Sequence, residues 1–367
     1  MSTADLPALP ADAERAPLVR IGALQWLREN LFNSWLNGIL TVLALALIYL
    51  FASSFIEWGL VNAVWSGAAS ACGEGKGACW AVLGEKGRFI LFGRYPYDEQ
   101  YRPLLFLILF IGLVGISTIR RFWNGRLGLA WAIGLVVMCW LMWGGVLGLP
   151  FVSHENWGGL PLTVILAVAT CVFGFPLGIV LALGRRSRLP AIRAVSVGYI
   201  ELVRGVPLIT VLFMASVMFP LFMPPGANID KLLRTQIAFI LFSGAYLAEV
   251  VRGGLQALPK GQYEAGDALG LSYWQKTGLI VLPQALRLVI PALVNTFIAT
   301  FKDTSLVITI GLFDLLSSAK TALNDPVWRS YYIEVYLFVA LIYFGFCFFM
   351  SRYSQNLEGE LQKSARR

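Results

Sequence analysis

Residues 160–184 read LPLTVILAVATCVFGFPLGIVLALG, a run without a charge, and Arg185, Arg186, Arg188 and Arg193 follow closely. A helix rising 1.5 Å per residue needs about 20 apolar residues to cross about 30 Å of hydrocarbon. This run is long enough, and it is apolar on every face, unlike the striped helix of a soluble surface.

The same pattern recurs on both sides of it. Apolar spans are predicted at about 36–55, 103–119 and 127–149 before it. After it come about 206–223, 235–251, a less regular run beginning at Leu288, and 335–350. Pro224, Pro225 and Gly226 close the fifth of the eight. The chain is 57% hydrophobic and 14% charged, against about 25% charged in soluble domains. Its mean hydropathy is +0.69. An all-α membrane protein of about eight spans is predicted, and a large soluble helical protein is disfavoured.

The net charge of +8 follows the loops. Arg120, Arg121 and Arg126 fall on the same side as Arg185–Arg193 if spans alternate, and positive-inside bias makes that side cytoplasmic. Both termini then lie in the cytoplasm, and Lys363, Arg366 and Arg367 agree. The basic balance is therefore a membrane signature and no footprint of nucleic acid. The N-terminus mixes Asp5, Asp12 and Glu14 with Arg15 and Arg20, which reads as a retained tail rather than a secretory signal.

The predicted divisions are a tail over 1–35, three N-terminal spans over 36–157, a five-span core over 158–355, and a tail over 356–367. A Gly-rich extracytoplasmic loop occupies about 57–102 and a cytoplasmic loop about 255–284. Cys72 and Cys79 lie in the first loop, where oxidation is possible; a disulfide and two unpaired thiols are both open readings. Cys139, Cys171 and Cys347 read as small hydrophobes in apolar spans.

The cytoplasmic loop is patterned: residues 255–272 read LQALPKGQYEAGDALGLS. Gly261 and Gly270 bracket a segment of helix formers. Glu264 and Asp267 are expected in its first turns, where the helix dipole favours negative charge, and Gly270 is placed to stop it. A short surface helix results. It either docks into a partner's groove or lies at the interface without one.

Glu264-Ala265-Gly266, Gly270 and the following Ile280-Val281-Leu282-Pro283 resemble the "EAA" signature of ATP-binding-cassette (ABC) importer permeases. Gly266 stands where that signature usually has a second alanine. The stretches YIELVRGVPL (199–208), AYLAEVVRGG (245–254) and KDTSL (302–306) are similar to those of the polar amino-acid uptake subfamily. The likeness covers about residues 158–355. The first 150 residues resemble the M-type permease subunit of general L-amino-acid transporters.

The resemblance implies a type I importer core of five helices preceded by three extra ones, in a bacterial inner membrane. It assigns ATPase coupling to Glu264, Ala265, Gly266, Gly270, Leu282 and Pro283. It implies as partners a dimer of ABC ATPase subunits, a second and different permease chain, and a periplasmic amino-acid-binding protein. The chain has no GxxxxGK[ST] phosphate loop; Gly73-Glu74-Gly75-Lys76 is too short. ATP and magnesium are accordingly expected on the partner, with no cofactor, metal or catalytic residue here.

Charge inside a membrane costs about 2.5–3.5 kcal/mol at a helix centre. Lys302, Asp303, Thr304 and Ser305, with Asn295 two turns earlier, interrupt an apolar run. They either line the translocation path of a zwitterion or mark the membrane boundary. Glu201 with Arg204, and Glu249 with Arg252, are spaced for same-face structural ion pairs. His154 is the only histidine, so it supplies neither a bis-His haem site nor a base for a triad, and it is expected in a solvated loop. The competing functions are an autonomous secondary transporter or channel, and a membrane enzyme for which no nucleophile–base pair is present.

Overall fold

The computed structural model describes residues 22–73, 77–224, 226 and 229–365. The N-terminal tail through residue 21, residues 74–76 of the short Gly-Lys stretch, Pro225, Arg366 and Arg367 lie outside the described residues. The chain divides into two compact units, Met1–Val64 with Glu74–Ala78, and Trp65–Gly73 with Cys79–Arg367. The division falls after the first span, so the second and third spans belong with the core rather than with a separate block ending at 157.

In the first unit, α1 (Ala23–Asn30) precedes α2 (Trp35–Ile56), which continues into a π-helical turn over Glu57–Val61. Ser34 starts α2 by accepting the Asn37 N–H at 3.2 Å, satisfying one of the orphan donors of a helix N-terminus.

The second unit holds the other helices. In chain order these are α3 (Ala69–Gly73), α4 (Ala81–Phe92), α5 (Tyr101–Ser117), α6 (Gly125–Trp143), α7 (Gly159–Arg185), α8 (Pro190–Gly205) and α9 (Leu208–Phe213). They are followed by α10 (Lys231–Ala257), α11 (Lys260–Ala268), α12 (Tyr273–Lys276), α13 (Leu282–Asp303), α14 (Leu315–Ala322) and α15 (Tyr332–Ala365). Among the described residues seven helices are long and apolar enough to cross a membrane, or eight if a bent pair counts as one span.

The second arm of that bent pair is the predicted fifth span, and the first arm is a helix the hydropathy did not mark. Pro190–Gly205 and Leu208–Phe222 meet at 102°. Pro207 sits at the elbow with φ −59° and has no N–H to carry the helix through. Two other boundaries moved. The 57–102 interval contains the helix α4, whose Val82, Ile90 and Phe92 are buried. Their packing outweighs the weak helix propensity of Gly84 and Gly87. The predicted tail from 356 has no break before it, because α15 runs on to Ala365.

The centre of the unit is α7 against α10 and α10 against α13. A Cβ on Gly178 would stand 2.7 Å from the Leu247 Cβ, and one on Gly254 would stand 2.5 Å from the Ala285 carbonyl oxygen. Only glycine lets these backbones come so close, the usual device where lipid provides no hydrophobic drive for helix association. Away from the Arg-rich loops, α5 and α6 are joined by a buried cation. Arg102 has no exposed surface, and it donates Nε to the Leu141 carbonyl at 2.7 Å and Nη1 to the Pro150 carbonyl at 2.9 Å. Glu99 lies 3.5 Å from Nη1. Nearby, Cys72 and Cys79 form a disulfide. The Cys79 N–H donates to the Glu334 carboxylate at 2.8 Å, bringing the start of α15 to this end of the bundle.

Candidate functional site

At the Arg-rich end of the bundle, α11 and α12 form a compact surface element between α10 and α13. Helix α11 starts directly after Pro259, not after Gly261. Glu264 therefore lies mid-helix and Asp267 in the last turn, where the dipole opposes a negative charge. The first-turn placement expected for this pair is corrected: Asp267 is ion-paired with Lys276 of α12 instead. Gly270 ends α11 at φ +70°, with Leu271 N–H on the Gly266 carbonyl at 3.2 Å and Gly270 N–H on that of Asp267 at 3.0 Å. This pair of bonds is a Schellman closure, which favours glycine at its left-handed position. Ser272 and Gln275 then cap α12 reciprocally.

Gly266 is buried under the stem of Lys276. A Cβ there would meet the Lys276 Cδ at 2.7 Å and Cγ at 2.8 Å. Glu264 and Ala265 face outward with Leu269, Tyr273 and Trp274, the last 73% exposed. Leu282 and Pro283 open α13 beyond a π-helical turn at Thr277–Val281. Pro283 stands just after that turn, so its missing N–H falls where the π-helical bonding gives way to α.

Two residues the sequence did not single out tie this element to the bundle. The Tyr263 hydroxyl donates to the Leu255 carbonyl of α10 at 2.9 Å. Arg186, just past α7, donates Nη1 to that carbonyl at 2.9 Å and to the Tyr263 hydroxyl at 2.8 Å. Gln284 of α13 also donates to Gln262 of α11 at 2.9 Å. The Arg run and the tyrosine beside the signature were visible in the sequence, but their contact spans 77 positions.

Beside this tripod Glu249 gathers cations. Arg252 reaches its Oε2 at 2.8 Å, Arg185 its Oε1 at 2.9 Å, and Arg204 approaches to 3.6 Å. Glu249 with Arg252 pairs as the spacing predicted. Glu201 does not pair with Arg204: it takes Arg185 at 2.8 Å. The exchange joins α7, α8 and α10, whereas the i, i+3 pair would have stayed within one helix.

The five path candidates separate. Asn295 and Lys302 lie on one exposed face of α13 with Ala292 and Ala299. Thr304 is fully buried and donates to the Phe301 carbonyl at 2.8 Å. Asp303 and Ser305 are half-buried. Among the described residues neither Lys302 nor Asp303 forms an ion pair. From Leu282 to Lys302 the helix rises about 30 Å, so both charges stand at the end remote from the Arg-rich loops. His154 at that end is no free loop residue: its Nε2 lies 2.6 Å from the Asp230 carboxylate that caps α10.

Residues 174–363 match the family described as "Binding-protein-dependent transport system inner membrane component". The inner membrane amino-acid ABC transporter permease protein YhdY of Escherichia coli (strain K12) is 52% identical over 92% of this chain and 92% of its own. The glutamate/glutamine/aspartate/asparagine transport system permease protein BztC of Rhodobacter capsulatus is 40% identical over 96% of each. A solved amino acid ABC transporter crystallised with histidines is 32% identical, covering 55% of this chain and 92% of that one with a TM-score of 0.49. A family model over more than half of the chain and relatives matching nearly end to end lead to one assignment: the chain belongs to the family of inner-membrane components of binding-protein-dependent transport systems.

Proposed function

We propose that this chain is one permease subunit of an ABC importer for L-amino acids, driven by ATP hydrolysed on a separate subunit. The observation that carries the proposal is the outward cluster of Leu269, Tyr273 and Trp274 on α11–α12, an element otherwise held from behind by Tyr263, Arg186 and Lys276. Exposed aromatic and aliphatic side chains on a preorganised surface are what a partner's groove binds. A pair of ATPase subunits is the partner in this reading, with Glu264, Ala265, Gly266 and Gly270 shaping the docked helix. Relatives named as amino-acid permeases support the substrate class.

The rest of the machine follows from the same reading. The face of α13 bearing Asn295 and Lys302 lines the path together with a second, different permease, and Asp303 with Lys302 meets the zwitterion at the outer mouth. A periplasmic binding protein delivers the amino acid. The Arg-rich loops and both termini face the cytoplasm, where the ATPase docks.

Trp274→Ala is the direct test, because the side chain is exposed and the bundle does not need it. ATPase retention on the purified permease is expected to weaken at least tenfold, since truncating an interface hot spot costs about 2 kcal/mol or more. ATP-driven uptake by the reconstituted complex should fall with it. Uptake by this chain alone, indifferent to ATP, would instead identify an autonomous transporter.

A further inference from the structure

A half-open groove of about 810 Å³ lies along the second unit, away from the path face of α13. Its walls come from α5, α7, α13 and α15, and its lining is apolar apart from the Cys171 thiol. Phe301 and Phe346, stacked at 5.2 Å, form one side. Gly115 and Gly345 open it, and a Cβ on either would meet nothing within 4 Å.

The chemistry of the walls selects the occupant. Water needs two to four polar partners, and this lining offers none but a weak thiol. A zwitterionic substrate fails on the same ground. An extended peptide would strand its N–H and C=O groups in hydrocarbon, and a helix about 10–12 Å across would need a far wider channel than this. Left unfilled, a groove of this size would forfeit dispersion contacts along its walls. A flexible hydrocarbon chain satisfies all four constraints.

Length and charge narrow it further. The lining runs from Leu160 to Val172 on α7 and from Phe338 to Met350 on α15. Each stretch covers about 18 Å, close to the roughly 15 Å depth of one leaflet. Both stretches start at the end of the bundle remote from the Arg-rich loops. There the groove is closed by Leu91 and Leu160, whose backbones meet so tightly that a Cβ on Gly159 would lie 2.1 Å from the Leu91 carbonyl oxygen. Three residues beyond Leu91 stands Arg94, exposed, its guanidinium 5.0 Å from the ring of Phe313. Phe313 bridges Gly158, two residues before Leu160. Among the described residues Arg94 forms no ion pair, although it is fixed over an aromatic face at the head of an apolar slot.

We propose that this groove binds one acyl chain of a glycerophospholipid from the leaflet at that end, with the lipid phosphate paired to Arg94. A phosphate brings oxygens suited to a guanidinium fork, and the chain below it fills the slot. The site is separate from transport and stands whether or not the ATPase proposal holds.

The test uses the full permease in nanodiscs containing phosphatidylglycerol with a diazirine on the acyl chain, photolysed and mapped by peptide mass spectrometry. Labelling is expected to concentrate on 160–172 and 338–350. Gly115→Phe and Gly345→Phe fill open space and replace a poor helix former, so they should fold and abolish that label. Gly112→Phe, on the same helix but outside the lining, should keep it. Arg94→Gln should reduce the label several-fold. The proposal is overturned if label spreads evenly over the lipid-facing helices, if the filled variants label as strongly as the unmodified chain, or if Arg94→Gln leaves labelling unchanged.

Discussion

The Nη1 of Arg186 lies 2.8 Å from the hydroxyl of Tyr263, and both groups donate to one carbonyl, that of Leu255. One oxygen thus collects the end of α7, the last turn of α10 and the body of α11. Three short bonds tie α11 to two membrane helices.

Tyr263→Phe deletes the shared hydroxyl and keeps the ring. The thermal stability of the permease should fall by about 1–3 kcal/mol, since two hydrogen bonds are lost at about 0.5–1.5 kcal/mol each. Transport should suffer more: ATPase still co-purifies while uptake per ATP hydrolysed declines. Unchanged coupling stoichiometry in proteoliposomes would show that force travels by another route.

Gly270→Leu must place a branched side chain at φ +70°. The left-handed region costs non-glycine residues about 1–2 kcal/mol, and the cost falls on the turn between α11 and α12 rather than on the spans. Membrane insertion should be normal and ATPase retention poor. A variant that inserts, retains ATPase and transports normally would remove Gly270 from the coupling element.

Gly266→Ala is expected to be nearly neutral for stability despite the close approach of Lys276. The added methyl gains up to about 1 kcal/mol of helix propensity. It displaces a flexible stem whose ion pair to an exposed Asp267 contributes about 0–1 kcal/mol. Differential scanning measurements on Gly266→Ala and Lys276→Met should bracket the unmodified protein within about 1 kcal/mol.

Lys86 of α4 meets Asp325 at 2.8 Å outside the spans. Their mutual hydrogen bond holds the Asp325 carboxyl below its ordinary 3.8 and the Lys86 ammonium above its ordinary 10.5. The carboxylate's contribution is present above 3.8 and lost as pH falls through the lowered value. The ammonium's is present below 10.5 and lost as pH rises through the raised one. The stability gap between Lys86→Met and the unmodified chain should stay flat from about pH 5 to pH 9 and shrink outside it. A gap that changes within that window would point to a different titrating group.

The membrane spans were legible because hydrocarbon imposes long apolar runs, and the surface helix because glycines and a proline bracket it. The elbow at Pro207 was not: the expected fifth span starts beside it at about 206, and the helix before it carries Arg193, Glu201 and Arg204, so it shows no apolar run to mark it. Helix α4 was hidden behind Gly84 and Gly87, whose low propensity is offset by packing that only the fold supplies. The site was half visible: Glu264, Gly266 and Gly270 stand in one short stretch, whereas Arg186 and Tyr263 meet across 77 positions. Glu201 illustrates the limit of spacing rules. Arg204 was available within its own helix, yet Arg185 at the end of α7 is the partner it takes.

The elbow also has a consequence for the bilayer. Leu208–Phe222 is fifteen residues, about 22 Å of helix at most, against about 30 Å of hydrocarbon. A segment that short creates hydrophobic mismatch, relieved when lipid thins beside it or neighbouring helices shelter its ends. An arm of this length covers about three quarters of the hydrocarbon, so the rest of the crossing at that place falls to the chain around it.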